Sequence, residues 1–336
     1  MEEHNANDSS HSDFDDDSDY FLSIGLVIAS QQILIKDSII TCLVLGNLVN
    51  IFLLVAIMTS QGLRQRLRNQ IIATMCVCFI VEIIIESSVG LLKDGKILDK
   101  LQFCRFMDSF LYVHAFLDFI STWYIVTLLI VYIAQLKDFD PRKYLTLKFL
   151  KFGHVAVLMA PLLLAVIILT PIIKISTDKY MSEICKELDA TDRKYIIVIT
   201  TIAPIILAIL LLFSALVFYC QRFRQGSRLP SDGLVLLSRG TSVDKPVAYI
   251  LAVSVSVVCF VANIIYIMYF DGTLPLLTML RLHIADDILQ DIFVYLLPLS
   301  WLCFDDVRER IKTWRPWRRT RQNVDITVSY NKEENI

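Results

Sequence analysis

FCRFMDSFLYVHAFLDFISTWYIVTLLIVYIA, residues 103–134, is the stretch that decides the fold class. At about 1.5 Å per residue, a helix of this length outreaches the ~30 Å hydrocarbon core of a bilayer and crosses it tilted. Cys104 stands at one end. His114 and Asp118 fall one helical turn apart near the middle, on one face, where hydrocarbon penalises any charge that lacks a partner. A helix with such a face belongs inside a bundle of other membrane helices.

The rest of the chain has the same character. Of its 336 residues 55% are hydrophobic, the mean hydropathy is +0.58 and glycines number only 10, which excludes an ordinary soluble domain. The net charge of -2 carries little meaning, because the charges are segregated by loop. None of the eight cysteines stands in CxxC or Cys/His ligand spacing. Cys42, Cys76, Cys78, Cys220, Cys259 and Cys303 lie in or beside apolar runs and read as free packing residues. Cys104 and Cys185 differ, each sitting in or at the edge of a polar connection.

Residues 1–32 read as an acidic, disordered tail, with eight Asp and Glu before Tyr20 and no Lys or Arg before Lys36. No basic n-region precedes a short apolar stretch, so the first membrane helix is expected to direct insertion. Asn7-Asp8-Ser9 is a glycosylation acceptor if this end lies outside the cell. Apolar runs at about 33–58, 70–92, 103–134, 149–173, 195–221, 246–270 and 275–303 follow, each near or above the ~20 residues that span hydrocarbon. The expected fold is therefore an all-α membrane protein, a seven-helix transmembrane domain over residues 33–303. Residues 304–336 form an amphipathic helix and a cytoplasmic tail, with Phe304, Val307 and Ile311 on one stripe of the helix.

Seven crossings put the termini on opposite sides, and Lys and Arg decide which side faces the cytoplasm. The connection after the first run carries Arg64, Arg66 and Arg68 without an acid. Those after the third, fifth and seventh are also basic, whereas the alternate connections are mixed, as in Lys93 to Lys100. The N-terminus is thus expected outside and the C-terminus in the cytoplasm, in the plasma membrane. Cys104 and Cys185 then share an oxidising compartment where a disulfide persists.

On these residues the chain resembles the rhodopsin-like family of G-protein-coupled receptors, from about Ile33 to Trp314. Gly46-Asn47, the Cys104 and Cys185 pair, Pro204, Pro298 and the amphipathic turn after it carry the resemblance. It implies a receptor that binds a ligand from outside and opens its cytoplasmic face to a heterotrimeric G protein. The departures are substantial. The family's helix 2 aspartate falls on Phe79, and no arginine stands where the family has Asp/Glu-Arg-Tyr in helix 3. Cys-Trp-x-Pro becomes Cys259-Phe260-Val261-Ala262, and Asn-Pro-x-x-Tyr becomes Leu297-Pro298-Leu299-Ser300-Trp301. Either activation uses other contacts or coupling is weak or absent.

Inside the bundle, Glu82 and Glu86 share one face of the second run, as Asp287 and Asp291 do on the seventh. The outer carboxylates Glu86, Asp287 and Asp291, with His114, are the candidate contacts for a cationic ligand, an amine or a basic peptide. The alternative is a network of protonated or water-bridged carboxyls, with Asp118 as a candidate sodium site through the resemblance. The same acids leave open a second function, a transporter or proton- or cation-coupled carrier, although the halves show no self-similarity. The seventh run has no lysine for a retinal Schiff base. No hydrolase triad, HExxH or phosphate loop points to an enzyme, no cofactor is expected, and membrane orientation explains the basic loops better than nucleic acid does.

Overall fold

A computed structural model describes residues 40–94, 100–137, 147–180, 198–224, 244–268 and 276–313. These residues are almost entirely helical. A π-helical turn, Cys42–Gly46, leads into α1 (Asn47–Thr59), and a short α2 (Gln61–Arg64) precedes α3 (Leu67–Asp94). Then come α4 (Lys100–Leu136), α5 (Leu147–Tyr180), a second π-helical turn, Val198–Ile202, and α6 (Ala203–Arg224). The last elements are α7 (Val247–Cys259), α8 (Val261–Met268), α9 (Leu276–Ser300), a 3₁₀ turn at Trp301–Cys303 and α10 (Asp305–Thr313).

Among the described residues four helices are long and apolar enough to cross a membrane, in α3, α4, α5 and α6, or up to five if α9 and the sharply turned α10 are taken as one broken span. Shorter apolar helices at Val44–Thr59 and Val247–Cys259 fall below that length. The chain is therefore a helical membrane protein. Within the described residues the expected runs are helical, although the first and sixth correspond only to the two shorter helices, and one boundary matters: α3 begins at Leu67, before the expected 70, and so takes in Arg68.

α4 is the hub, packing against α3, α5, α6 and α7, while α9 packs against α1, α3, α7 and α8. The candidate spans of α3 and α4 are 61% buried and that of α5 only 17%, so α5 runs along the outside with Phe152, Leu163 and Ile167 facing outward. An apolar surface of that extent is covered by lipid rather than water. Between the central helices, Phe79 and Phe260 both meet the ring of Phe293 edge-on, with centroids 5.8 and 4.9 Å away. Where the family resembled here has a helix 2 aspartate, this chain has an aromatic cluster.

Prolines explain the polar contacts between helices. A helical proline has no N–H for the carbonyl four residues back, and lipid offers no substitute donor. Pro204 thus frees Thr200, whose carbonyl oxygen accepts the Thr122 hydroxyl from α4 at 2.8 Å. Pro298 frees Val294, whose carbonyl accepts Asn50 Nδ2 from α1 at 3.0 Å. Next to the carbonyl that Pro161 frees in α5, Leu158 accepts the Tyr124 hydroxyl at 2.8 Å. The breaches at Pro204 and Pro298 are thus each filled by a side chain of another helix.

Pro204, Pro298, Phe260 and Trp301 are all buried. Asn47 is half-buried, and the asparagine bonded to α9 is Asn50, one turn further on. The break between α7 and α8 arises without proline: Phe260 takes φ -96°, ψ 5°, yet its N–H still reaches Ser256 O at 3.0 Å.

Candidate functional site

The stretch that closes α2 and opens α3 is RQRLRN, Arg64 to Asn69, and its charges reach one end of the helix assembly. Ser60 is extended, at φ -102° and ψ 114°, which ends α1 and lets α2 turn the chain into α3. Arg68 then lies in the first turn of α3, with only 2% of its side chain exposed. A buried guanidinium is tolerated only if its donors find acceptors.

Arg68 finds them in three segments. Its Nε donates to Asn69 Oδ1 at 3.0 Å, one Nη pairs with Asp244 just before α7, and the other pairs with Asp306 on α10. The guanidinium carbon lies 4.0 Å from the centroid of the Phe304 ring, in cation–π geometry. Asp306 Oδ2 also accepts Arg66 at 2.7 Å and Asn69 Nδ2 at 3.3 Å. Two arginines thus face two aspartates, and the cluster is electrically balanced.

The Asp244 side of the cluster continues into aromatic rings. Tyr249 donates its hydroxyl to Asp244 Oδ2 at 3.3 Å, and Tyr132 on α4 donates to the Asp244 carbonyl at 3.1 Å. The two tyrosine rings stack at 4.2 Å, and Tyr249 meets Phe304 edge-on at 5.3 Å. Beside them, Lys245 pairs with Asp305 at 2.9 Å and, through that hydrogen bond and its charge, holds the Asp305 carboxyl below its ordinary value. Arg222 on α6 donates to the Leu136 carbonyl at the end of α4, where a cation suits the helix C-terminus.

These bonds gather the end of α1, the start of α3, the ends of α4 and α6, the start of α7 and α10 at one end of the molecule. α10 lies at about 90° to the preceding helix and is seated by Phe304, Val307 and the half-buried Ile311, the stripe expected from the sequence. The cluster has no nucleophile poised beside a base. What it can do is hold three segments together by charge, the start of α3, the approach to α7 and α10.

Sequence reasoning missed this site, because Arg66 and Arg68 read as loop cations that orient the chain. The usable signals were Asp305-Asp306 opening an amphipathic helix and Asp244 just before Pro246 at the start of α7. Nothing in the sequence pairs either with an arginine 176 or more residues away.

The expected ligand site is placed only in part. Asp118 and Asp291 are half-buried on α4 and α9, and Glu82 is buried on α3 at 4% exposure. The Asp118 carbonyl accepts the hydroxyls of Ser121 and Thr122 at 3.0 and 2.9 Å. Glu86, His114, Cys104 and Asp287 lie in α3, α4 and α9, but their side chains are outside the described residues, as are Cys185 and Asn7 altogether. Among the described residues no three His, Cys, Asp or Glu side chains group as a metal site, and Cys76, Cys78, Cys220, Cys259 and Cys303 are free thiols. Neither a protein-family model nor a curated protein matches this chain.

Proposed function

We propose that the chain is a seven-helix receptor of the plasma membrane that binds an extracellular cationic ligand, an amine or a basic peptide, and signals to a heterotrimeric G protein. The observation that carries this reading is the gathering of chain segments around Arg68. The ends of α1, α4 and α6 share one end of the molecule with the starts of α3 and α7 and with α10. That is the alternation expected if α1, α3, α4, α5, α6, the α7 and α8 pair, and α9 thread back and forth as seven crossings. The shared end is also the arginine-rich one, which the charge rule assigns to the cytoplasm.

In this reading the acidic tail and the carboxylates Glu86, Asp287 and Asp291 face the outside, and the charged joint faces the G protein. A second reading, a cation-coupled carrier, draws on Glu82, a carboxyl buried in a candidate membrane span. Tags on the two ends of the chain, assayed in intact and permeabilised cells, test the threading: opposite sides are expected, and the same side refutes it. Second-messenger output in expressing cells, basal and during a screen of amines and basic peptides, tests the signalling. Substrate-driven current or uptake without any second-messenger change would replace the receptor by the carrier.

A further inference from the structure

We propose that the groove between α5 and α6, floored by Trp123 of α4, binds an elongated membrane lipid with an oxygen at each end, the chemistry of a side-chain-hydroxylated sterol. The site rests on helix packing and is independent of the receptor reading.

Among the described residues α5 and α6 both pack against α4 but scarcely against each other, so a strip of the hub helix is left between them. Two hydrogen bonds fix where that strip lies. Thr122 reaches the π-helical turn before α6, and Tyr124 reaches α5. Successive residues of a helix point about 100° apart around its axis, so Trp123 points between the two walls. Thr127, Ile130, Ala134 and Lys137 continue the same stripe and none is buried, with Ile130 52% exposed.

The stripe carries a polar group at each end. The Trp123 ring is half-buried and its Nε1 has no acceptor among the described residues. Lys137, just past the end of α4, lies 4.4 Å from the centroid of the Phe218 ring on α6. The candidate span of α4 runs from Ala115 to Leu136, which places Trp123 about 12 Å inside one end and about 20 Å inside the other. Phospholipid headgroups stay outside the hydrocarbon, and acyl chains accept no hydrogen bond, so ordinary bilayer lipid leaves this donor unanswered.

An occupant that answers it brings an oxygen to that depth, and Lys137, about 21 Å away along the axis, takes a second one. A sterol nucleus with a hydroxylated side chain bridges that distance with the reach of the two side chains. Being rigid, it loses little freedom on binding. The β-branched Thr127 and Ile130 give it a stiff floor. The indole turns about χ2, a soft torsion, to bring its N–H to the groove.

The test uses the full chain in phosphatidylcholine nanodiscs, photolabelled with a diazirine analogue of a side-chain-hydroxylated sterol and mapped by mass spectrometry of the digested protein. Label is expected on α4, α5 or α6 along the stripe. Side-chain-hydroxylated cholesterol should compete for it about tenfold better than cholesterol, the discrimination of one hydrogen bond. Trp123→Phe keeps a ring and removes the donor, so the two sterols should then compete equally. Ile130→Trp fills the exposed middle of the stripe and should abolish the label, and it decides the matter with the wild-type competition if Trp123→Phe is poorly expressed. Equal competition by the two sterols on the wild-type chain, a preference that survives Trp123→Phe, or label undiminished by Ile130→Trp overturns the site.

Discussion

Replacing Arg68 with Met removes a charge but keeps an unbranched chain against Phe304, so it isolates what the joint is worth. The Arg68 side chain is 2% exposed and those of its two acids 10% and 16%, so water screens the cluster little. Removing one member of a buried charge pair costs about 3–5 kcal/mol, chiefly because the partners are left uncompensated. Here Arg66 still neutralises Asp306 and Tyr249 still donates to Asp244, which places the loss near the lower bound, about 3 kcal/mol. For a large domain that lowers the melting temperature by about 6 °C. A triple variant, Arg68→Met with Asp244→Leu and Asp306→Leu, removes Arg68 and both of its acids together. Apolar replacement of a buried ion cluster is often neutral or stabilising, so the triple loses the hydrogen bonds of Tyr249 and Asn69, about 1 kcal/mol each, and the Asp306 pairing of Arg66, which is 18% exposed and turns to water. The triple variant should therefore melt above the single one.

Thermal unfolding in detergent, followed by a thiol-reactive dye, reads this directly. Cys76 and Cys259 are buried and report unfolding, while the exposed Cys220 is first changed to Ser. An Arg68→Met protein that melts with wild type, or a triple variant that falls by the sum of its three single changes, would refute the reasoning.

Three further outcomes are expected. Asn50→Leu and Thr122→Val each strand a proline-freed carbonyl, at Val294 and Thr200, and should cost about 1–3 kcal/mol in the same melting assay; values under about 0.5 kcal/mol would mean the carbonyls find other donors. Because Lys245 depresses the Asp305 carboxyl, their pairing contributes stability above the unfolded aspartate value of ~3.9, and this is lost as the pH falls through the lower folded value. Wild type should thus lose its small advantage over Lys245→Ala in acid, and a constant gap would reject the pairing; both side chains are more than half exposed, so the effect is modest. Cys104→Ser and Cys185→Ser should lower surface expression equally, and normal expression of both would count against their disulfide.

The helices were legible in the sequence because lipid imposes a crude requirement that composition alone can meet, an apolar segment of sufficient length. The stripe of Phe304, Val307 and Ile311 was legible for a similar reason, since helical periodicity acts within a few residues. The charged joint was not. Arg68 looks the same in sequence as the exposed Arg64 four residues before it, and burial separates them only after α3 starts a turn early. The importance of Asn50 over Asn47 was equally hidden, because the carbonyl it serves belongs to a proline turn some 244 residues away.

Local chemistry, then, determined that this chain is helical and lives in a membrane, and that basic residues crowd alternate connections between its apolar runs. Only the tertiary structure decided that Arg68, Asp244 and Asp306 meet, and that Thr122 and Asn50 fill the gaps left by Pro204 and Pro298. The physical reason is range: hydrophobic periodicity is written in neighbouring residues, whereas an ion pair or a borrowed hydrogen bond depends on which helices pack side by side.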